Sequence, residues 1–303
     1  MEHKKFKVSI CVVTFNQNRY IKQCLQSIVD QEVDFPYELI VSDDKSTDGT
    51  AEIILDFANR YPEIIKPIFH EKNIGAFENF LFVHNRAIGE YVAHMDGDDY
   101  WLPGKLKYQV QLLDDNLAIS QCWTCAELVD DNGNYRGVFP SKLARLLNPK
   151  IISPKDIALS YALVGHHSTQ LYRRSARQQE LLENKCLDYW IAFVNSLSGN
   201  CFYSKEILSV YRISASESVT RNSNTKKATV DVLAQHLFCI SEKYPRYAEE
   251  AKANILVRRA ISSIRGHDLR IIDDCIFKMQ SIPAKKVLII KSFYYFIAQK
   301  LGY

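Results

Sequence analysis

The chain is predicted to be an α/β protein with a mostly parallel central sheet and a helical C-terminal extension. Three observations predict this. Over the first hundred residues, short β-branched runs alternate with apolar residues at helical spacing. Polar clusters follow those runs, where an open parallel sheet gathers its ligand contacts. Beyond about residue 220 the strand signal stops and only helical patterning remains.

The elements follow in order. Val8 to Val13 is a β-branched run read as a buried strand, ending in Thr14-Phe15-Asn16. Ile21, Cys24, Leu25 and Ile28 stand at helical spacing. Tyr37 to Val41 is a second strand, ending in Ser42-Asp43-Asp44, and Ala51, Ile54, Leu55 and Ala58 mark the next helix, with Thr47 or Asp48 available to cap it. Ile64 to Phe69 is a third strand, followed by a helix through Phe77, Phe80, Leu81 and Ile88. Tyr91 to Met95 is a fourth strand, and Pro103 opens a fourth helix. From residue 119 a hairpin is expected, Ile119 to Val129 and Tyr135 to Phe139 around Asn132-Gly133. Short strands at Ser168 to Tyr172 and Cys201 to Tyr203 flank a helical stretch over 176–198.

Composition narrows the class. With 47% hydrophobic and 24% charged residues the chain is globular and not disordered. A net charge of +3 is too mild to argue for nucleic acid, so no nucleic-acid partner is expected. No secretory signal follows the start and no uncharged apolar run of about 18 residues occurs, so a cytoplasmic protein with free thiols is expected. Cys122 and Cys125 have zinc-knuckle spacing but lack a second pair, and are read as core thiols.

The chemistry concentrates in Asp96-Gly97-Asp98-Asp99, directly after an apolar strand. In extended backbone Asp96 and Asp98 point the same way, and two converging carboxylates repel unless a cation lies between them. Hard oxygen donors suit Mg²⁺ or Mn²⁺, which complete their shells with water and substrate phosphate. Gly97 lets backbone approach a ligand closely. A solvated acidic turn is the plainer reading of the motif alone. It stands beside Thr14-Phe15-Asn16, the run Asp43 to Thr50, and Asn73-Ile74-Gly75, each at a position where the sheet would bind ligand, although turn and cap chemistry accounts for part of these too.

In order and spacing, Val8 to Asn16, Val41 to Thr50, Asn73-Ile74-Gly75 and Asp96 to Asp99 resemble the donor-binding half of family 2 glycosyltransferases with the GT-A fold. The resemblance is good to about residue 213. It implies a glycosyltransferase domain over 1–220, with a donor half at 1–105 and an acceptor half at 106–220, followed by a helical region over 221–303. It also implies that Thr14, Asn16, Asp43 and Asp44 contact the nucleotide, with Asn73, Gly75 and Gly97 in the same donor site. Asp96 would lie near ribose and metal, and Asp98 would bind the metal, Mg²⁺ or Mn²⁺. Such enzymes usually invert the anomeric centre with a carboxylate base on the acceptor side. Asp188 in Leu187-Asp188-Tyr189-Trp190 matches that base position, although Leu187 stands where a Glu is usual, and a first-turn helix acid is the plainer reading. Val210 to Ser214 resembles a family segment Tyr-Arg-x-His, with Ser214 in place of the His. Arg212 is left to phosphate contact or a structural ion pair, and Trp101 to sugar stacking or the core.

The implied partners are a nucleotide-sugar donor, UDP-linked by resemblance, and a saccharide or lipid-linked acceptor in surface-polysaccharide synthesis. His166 and His167 are expected to point apart on a strand and are not read as joint ligands. The region from Pro283 to Tyr303, read as a helix, carries Val287, Leu288, Ile289, Ile290, Phe293, Tyr294, Tyr295, Phe296, Ile297 and Leu301 among Lys285, Lys286, Lys291 and Lys300. That pattern suits peripheral contact with an anionic membrane face, and equally packing on the domain or a dimer contact. Two other readings remain: a nucleotidyltransferase, disfavoured by the absence of glycine in Thr14 to Arg19, and a non-catalytic nucleotide-sugar-binding or scaffold protein of the same fold.

Overall fold

The computed structural model describes residues 6–177, 188–213, 223–265 and 268–300. Leu187 and Ser214, the two departures from the family pattern, lie outside the described residues, as does part of the helix expected over 176–198. The chain divides into two compact units that interleave in sequence. The sheet unit draws on Met1–Phe139, Gly165–Lys185 and Cys201–Ala215, and the helical unit on Pro140–Val164, Cys186–Asn200 and Ser216–Tyr303. The sequence reading placed a single boundary near residue 220.

The sheet unit opens with three strand–helix repeats: β1 (Val8–Thr14), α1 (Ile21–Val29), β2 (Tyr37–Asp43), α2 (Thr50–Arg60), β3 (Ile65–Phe69), α3 (Ala76–His84) and β4 (Tyr91–Asp96). There follow β5 (Tyr100–Trp101), α4 (Lys105–Asp115), β6 (Ile119–Val129) and β7 (Tyr135–Phe139). In the helical unit lie α5 (Lys142–Leu147), β8 (Ile151–Ile152) and α6 (Pro154–Leu159). β9 (Leu171–Arg173) and most of β10 (Asn200–Arg212) return to the sheet unit. α7 (Asp188–Ser196), α8 (Ser223–Lys243), α9 (Ala248–Ile264), α10 (Arg270–Lys278) and α11 (Lys286–Lys300) complete the helical unit.

The strand order is β3-β2-β1-β4-β9-β6-β10-β5, with β7 on β6. β1, β2, β3 and β4 run parallel, whereas β9 pairs antiparallel with both β4 and β6. Alternation along β1 explains its position. Val8, Ile10 and Val12 pack under α1 and α2 against Ile21, Leu25, Ile54 and Phe57, while Cys11 faces Val83, Val92 and Tyr172 on the other side. Each fully buried aliphatic side chain contributes roughly 1.5–3 kcal/mol, and covering both faces is what a central parallel strand requires.

β1 has Thr14 opposite Asp43 of β2 and Val13 opposite Asp96 of β4, so the ends of the three strands lie side by side. Both β5 and the 13-residue β10, whose far end pairs with it at Val210 and Ser209, exceed the sequence expectation. The segment expected to be a strand from Ser168 begins instead with a 3₁₀ turn, His167–Thr169. In the helical unit, α9 packs with α8, α10 and α11, and Trp190 and Phe193 of α7 meet His236, Tyr244 and Tyr247. Among the described residues no helix is long and apolar enough to cross a membrane.

Candidate active site

The ends of β1, β2 and β4 gather most of the residues singled out from sequence. Thr14 is buried, and its Oγ1 has no hydrogen-bond partner among the described residues. Asn16 takes a left-handed backbone (φ 51°), and its Oδ1 accepts the Thr47 amide at 2.9 Å. Asp43 is buried and accepts from both the amide and the hydroxyl of Ser46. Asp44 accepts the Ile74 amide at 2.7 Å and the Gly75 amide at 2.9 Å, while Asn73 donates to the Asp44 carbonyl at 3.2 Å. The Asp44 carboxylate thus fixes the loop entering α3, where Gly75 at φ 89° and ψ 152° supplies a conformation that suits glycine. The N-cap of α2 is Gly49, in a left-handed backbone and without a side-chain cap, in place of the expected Thr47 or Asp48; Asp48, one residue earlier, accepts the Thr50 amide at 3.1 Å.

Gly97 is required by a close approach to the protein's own chain. Its amide donates to the Val13 carbonyl at 3.0 Å, and a Cβ there would lie 2.9 Å from Thr14 and 2.5 Å from Gln17 Oε1. The acidic segment is thereby pressed against the end of β1.

The three acids differ in surroundings. Asp96 keeps 37% of its side-chain surface, and its Oδ1 meets His94 Nε2 at 3.1 Å. Burial acts to raise its carboxyl, but His94, His167 and His166 outweigh this and hold it well below the usual carboxylate range. Burial and then the Asp96 charge push Asp98 up to about 7, against Arg212 and a hydrogen bond from Gln17. Asp99 is 1% exposed; burial, then Asp98 and Asp96, drive it well above the usual range. Its oxygens are taken by the chain: Oδ1 accepts the Arg212 amide at 2.9 Å and Oδ2 the Ser168 hydroxyl at 2.5 Å. Crowded acids of this kind are relieved by a cation.

One group of donor atoms among the described residues converges as a metal site would require: Asp96, Asp99 and His166, all within 4.8 Å of one another. His166 Nδ1 is 3.7 Å from Asp99, and its ring stacks on Tyr211 at 3.7 Å between centroids. The chemistry of this set, two carboxylates and an imidazole, fits a divalent ion. Sequence reasoning missed Asp99 and His166. The 3₁₀ turn, in place of the expected strand, directs His166 toward Asp99 and packs His167 against His94 at 4.1 Å between ring centroids. Asp98 falls outside the converging group. Since Asp99 is buried and doubly bonded while Asp96 and Asp98 keep exposed surface, an ion arriving from solvent meets the latter pair first.

Arg212 is a structural fastener. Its guanidinium donates to the Asp98 carbonyl (3.1 Å), the Asp130 carbonyl (2.9 Å) and Gln23 (3.3 Å), and lies over the Tyr20 ring. Trp101 is core: it is 2% exposed and its indole N–H donates to the Ser168 carbonyl at 3.0 Å. A groove of about 560 Å³ runs along α1, lined by Arg19, Lys22, Gln23, Tyr100 and Trp101 among others, and it shares Gln23 with the Arg212 network. Asp188, in the helical unit, is the first residue of α7 and half-buried.

A GT-A-type α/β fold, with an acidic segment at the carboxyl edge of its parallel strands, is therefore the class this chain defines. The model for glycosyl transferase family 2 matches residues 9–180, and the chain belongs to that family. Rv1520 of Mycobacterium tuberculosis, itself uncharacterized, is 32% identical over 211 residues, covering 68% of this chain. The aligned part spans 58% of that relative's length. Among solved structures, residues 1–349 of S. aureus TarS in complex with UDP-GlcNAc share the fold at TM-score 0.64 and 21% identity, covering 97% of this chain and 81% of that one. The mannosyltransferase PcManGT of Pyrobaculum calidifontis, in complex with GDP-Man and Mn²⁺, does so at 0.57 and 16%, covering 98% and 86%.

Proposed function

We propose that the chain is a metal-dependent inverting glycosyltransferase that moves a sugar from a nucleotide-diphosphate donor, UDP-linked in the first instance, to a saccharide or lipid-linked acceptor of a cell-surface polysaccharide. The observation that carries this reading is the meeting of Thr14, Asp43 and Asp96 at the ends of three parallel strands, with Asp98 crowded beside Asp96 and Asp99 buried behind them. The nucleotide sugars bound to TarS and PcManGT support it.

In this reading Thr14, Asn16, Asp43 and Asp44 hold the nucleoside, while Asn73, Gly75 and Gly97 shape the donor site. Asp96 and Asp98 hold Mg²⁺ or Mn²⁺, with His166 at hand. When bound, that ion neutralises charge on the departing diphosphate. The unpartnered Thr14 hydroxyl and the exposed part of Asp96 are the groups left for a ligand to satisfy. Asp188, at the start of a helix, takes the proton from the acceptor hydroxyl as that oxygen attacks the anomeric carbon. α11 supports peripheral placement on the cytoplasmic face of a membrane, where a lipid-linked acceptor would be met.

Calorimetric titration of UDP, GDP, CDP and dTDP, with and without Mn²⁺, tests this on wild type and Asp98→Ala. One nucleotide is expected to bind with metal dependence, and Asp98→Ala to lose that dependence. Failure of all four to bind in either condition would sink the donor site and favour the non-catalytic reading.

A further inference from the structure

Behind Asp96 lies a buried file of side chains that the reading above does not use. His94, two residues earlier on β4, presents Nε2 to Asp96 Oδ1 at 3.1 Å. Its Nδ1 is 2.9 Å from His84 Nε2, at the end of α3, and His84 Nδ1 is 2.9 Å from the Tyr172 hydroxyl on β9. His84 and His94 are each 1% exposed and Tyr172 is 2% exposed. The rings are clamped by aromatic neighbours, Phe80 stacked on His84 and His167 tilted against His94. Phe80 lies 4.0 Å from His84, and His167 lies 4.1 Å from His94, between centroids.

The direction of the file follows from elementary hydrogen-bond rules. A neutral imidazole carries one N–H and one lone pair. His94 must turn an N–H toward Asp96, because a lone pair there would face carboxylate oxygen. With that ring neutral, its Nδ1 is an acceptor and takes an N–H from His84 Nε2. His84 Nδ1 is in turn an acceptor and takes the Tyr172 O–H. The opposite orientation ends with a lone pair against Asp96 when His94 is neutral, and is open only to a doubly protonated His94, which would donate at both nitrogens. Burial holds His84 well below its ordinary value, which keeps that ring neutral, with one N–H and one lone pair.

We propose that Tyr172, His84 and His94 form a one-way hydrogen-bond relay that fixes the Asp96 carboxylate in the orientation needed to hold the metal and nucleotide. The three are positioning residues, and their effect on metal rests on the donor-site reading above. Outer partners of this kind orient a ligating group and set its affinity, and their loss typically costs about 10- to 100-fold in metal affinity.

Two measurements test it. In ¹⁵N spectra of the histidine rings, assigned by difference against His84→Phe, both His84 and His94 are expected as neutral Nε2–H tautomers. An Nδ1–H form of His94 overturns the relay whatever the protein binds. In Mn²⁺ titrations with UDP present, His94→Phe is expected to weaken Mn²⁺ about 10- to 100-fold, and His94→Gln, which can still donate an N–H, to recover most of it. Tyr172→Phe keeps the volume and fold, and is expected to weaken Mn²⁺ several-fold while shifting the His84 Nδ1 resonance. Unchanged Mn²⁺ affinity in both His94→Phe and Tyr172→Phe overturns the proposal. If wild type binds no Mn²⁺ with UDP, the donor-site reading falls with the metal role, and the tautomers alone decide whether the relay runs toward Asp96.

Discussion

The Asp99 carboxylate accepts the main-chain N–H of Arg212 at 2.9 Å, joining positions 113 residues apart. The Ser168 hydroxyl takes its other oxygen. Asp99 is thus a brace that ties the acidic segment to β10 and to the turn before β9, although its atoms also fall in the converging Asp96–Asp99–His166 group. Asparagine can keep both bonds, since its oxygen accepts the amide and its NH₂ can donate to Ser168. Asp99→Asn is therefore expected to fold and to retain metal-dependent nucleotide binding, while Asp98→Ala loses it. Asp99→Ala strands a buried N–H and should cost about 1–3 kcal/mol in urea denaturation. Loss of Mn²⁺ binding in Asp99→Asn, with retention in Asp98→Ala, would move the metal to Asp96, Asp99 and His166.

A methyl group at residue 97 has nowhere to go. The added carbon of Gly97→Ala would lie 2.9 Å from Thr14, which is fixed in β1, and 2.5 Å from the more mobile end of Gln17. The segment must swing away from the strand end or strain against it. Overpacking of this kind typically costs about 1–3 kcal/mol, and it also displaces Asp96 and Asp98. A lowered melting temperature together with at least several-fold weaker UDP binding in the presence of Mn²⁺ is expected. Full binding at a wild-type melting temperature would show that the approach is not tight.

The strand–helix repeats could be read in the sequence because their signals are local. Val8 to Val13 is an apolar run that ends abruptly in polar residues, and Ile21 to Ile28 keeps one face apolar. What could not be read depends on distance or on a broken pattern. β5 has two residues and no period to detect. β10 mixes buried and exposed positions irregularly over 13 residues, so only its start was visible. His166 and His167 look like strand neighbours facing opposite ways, and only the 3₁₀ turn brings one to Asp99 and the other to His94. The His94–Asp96 pair is visible at i and i+2. Its continuation through His84 and Tyr172 spans three elements and needs the folded sheet.

Lys105 is buried in the sheet unit with no carboxylate pairing among the described residues. Its ammonium donates to Gln109 Oε1 at 2.6 Å and lies 4.1 Å from the centre of the Trp101 ring. Burial drives it from an ordinary 10.5 down to about 7. Between those values the unfolded chain holds a proton that the folded chain has released. Stability from this residue therefore rises with pH from about 7 to about 10.5 and is lowest below 7. Lys105→Met removes the ionisable group and keeps the volume. The wild-type deficit relative to Lys105→Met is expected to be largest at pH 6.5 and to shrink toward pH 9.5 in urea denaturation. A difference independent of pH would mean that Lys105 titrates normally.

α11 exposes Val287 (68%), Ile290 (68%), Phe293 (49%) and Tyr294 (45%), while Ser292, Tyr295, Phe296 and Ala298 are buried. Two lysines in and beside it are already engaged: Lys285, just before the helix, pairs with Glu249 at 2.6 Å, and Lys291, within it, with Asp156 at 3.2 Å. Less positive charge is left for lipid headgroups than the sequence suggests, so apolar insertion must carry most of any membrane contact. Two expectations follow for sedimentation with vesicles containing phosphatidylglycerol. Ile290→Glu with Phe293→Glu should abolish binding, whereas Lys286→Gln should weaken it only a few-fold. Added salt should act mildly for the same reason, since screening removes only the electrostatic part. Binding abolished by Lys286→Gln or by salt alone would show that charge, and not the exposed apolar face, does the anchoring. Absence of binding by wild type would leave that face to a protein partner or a second copy of the chain.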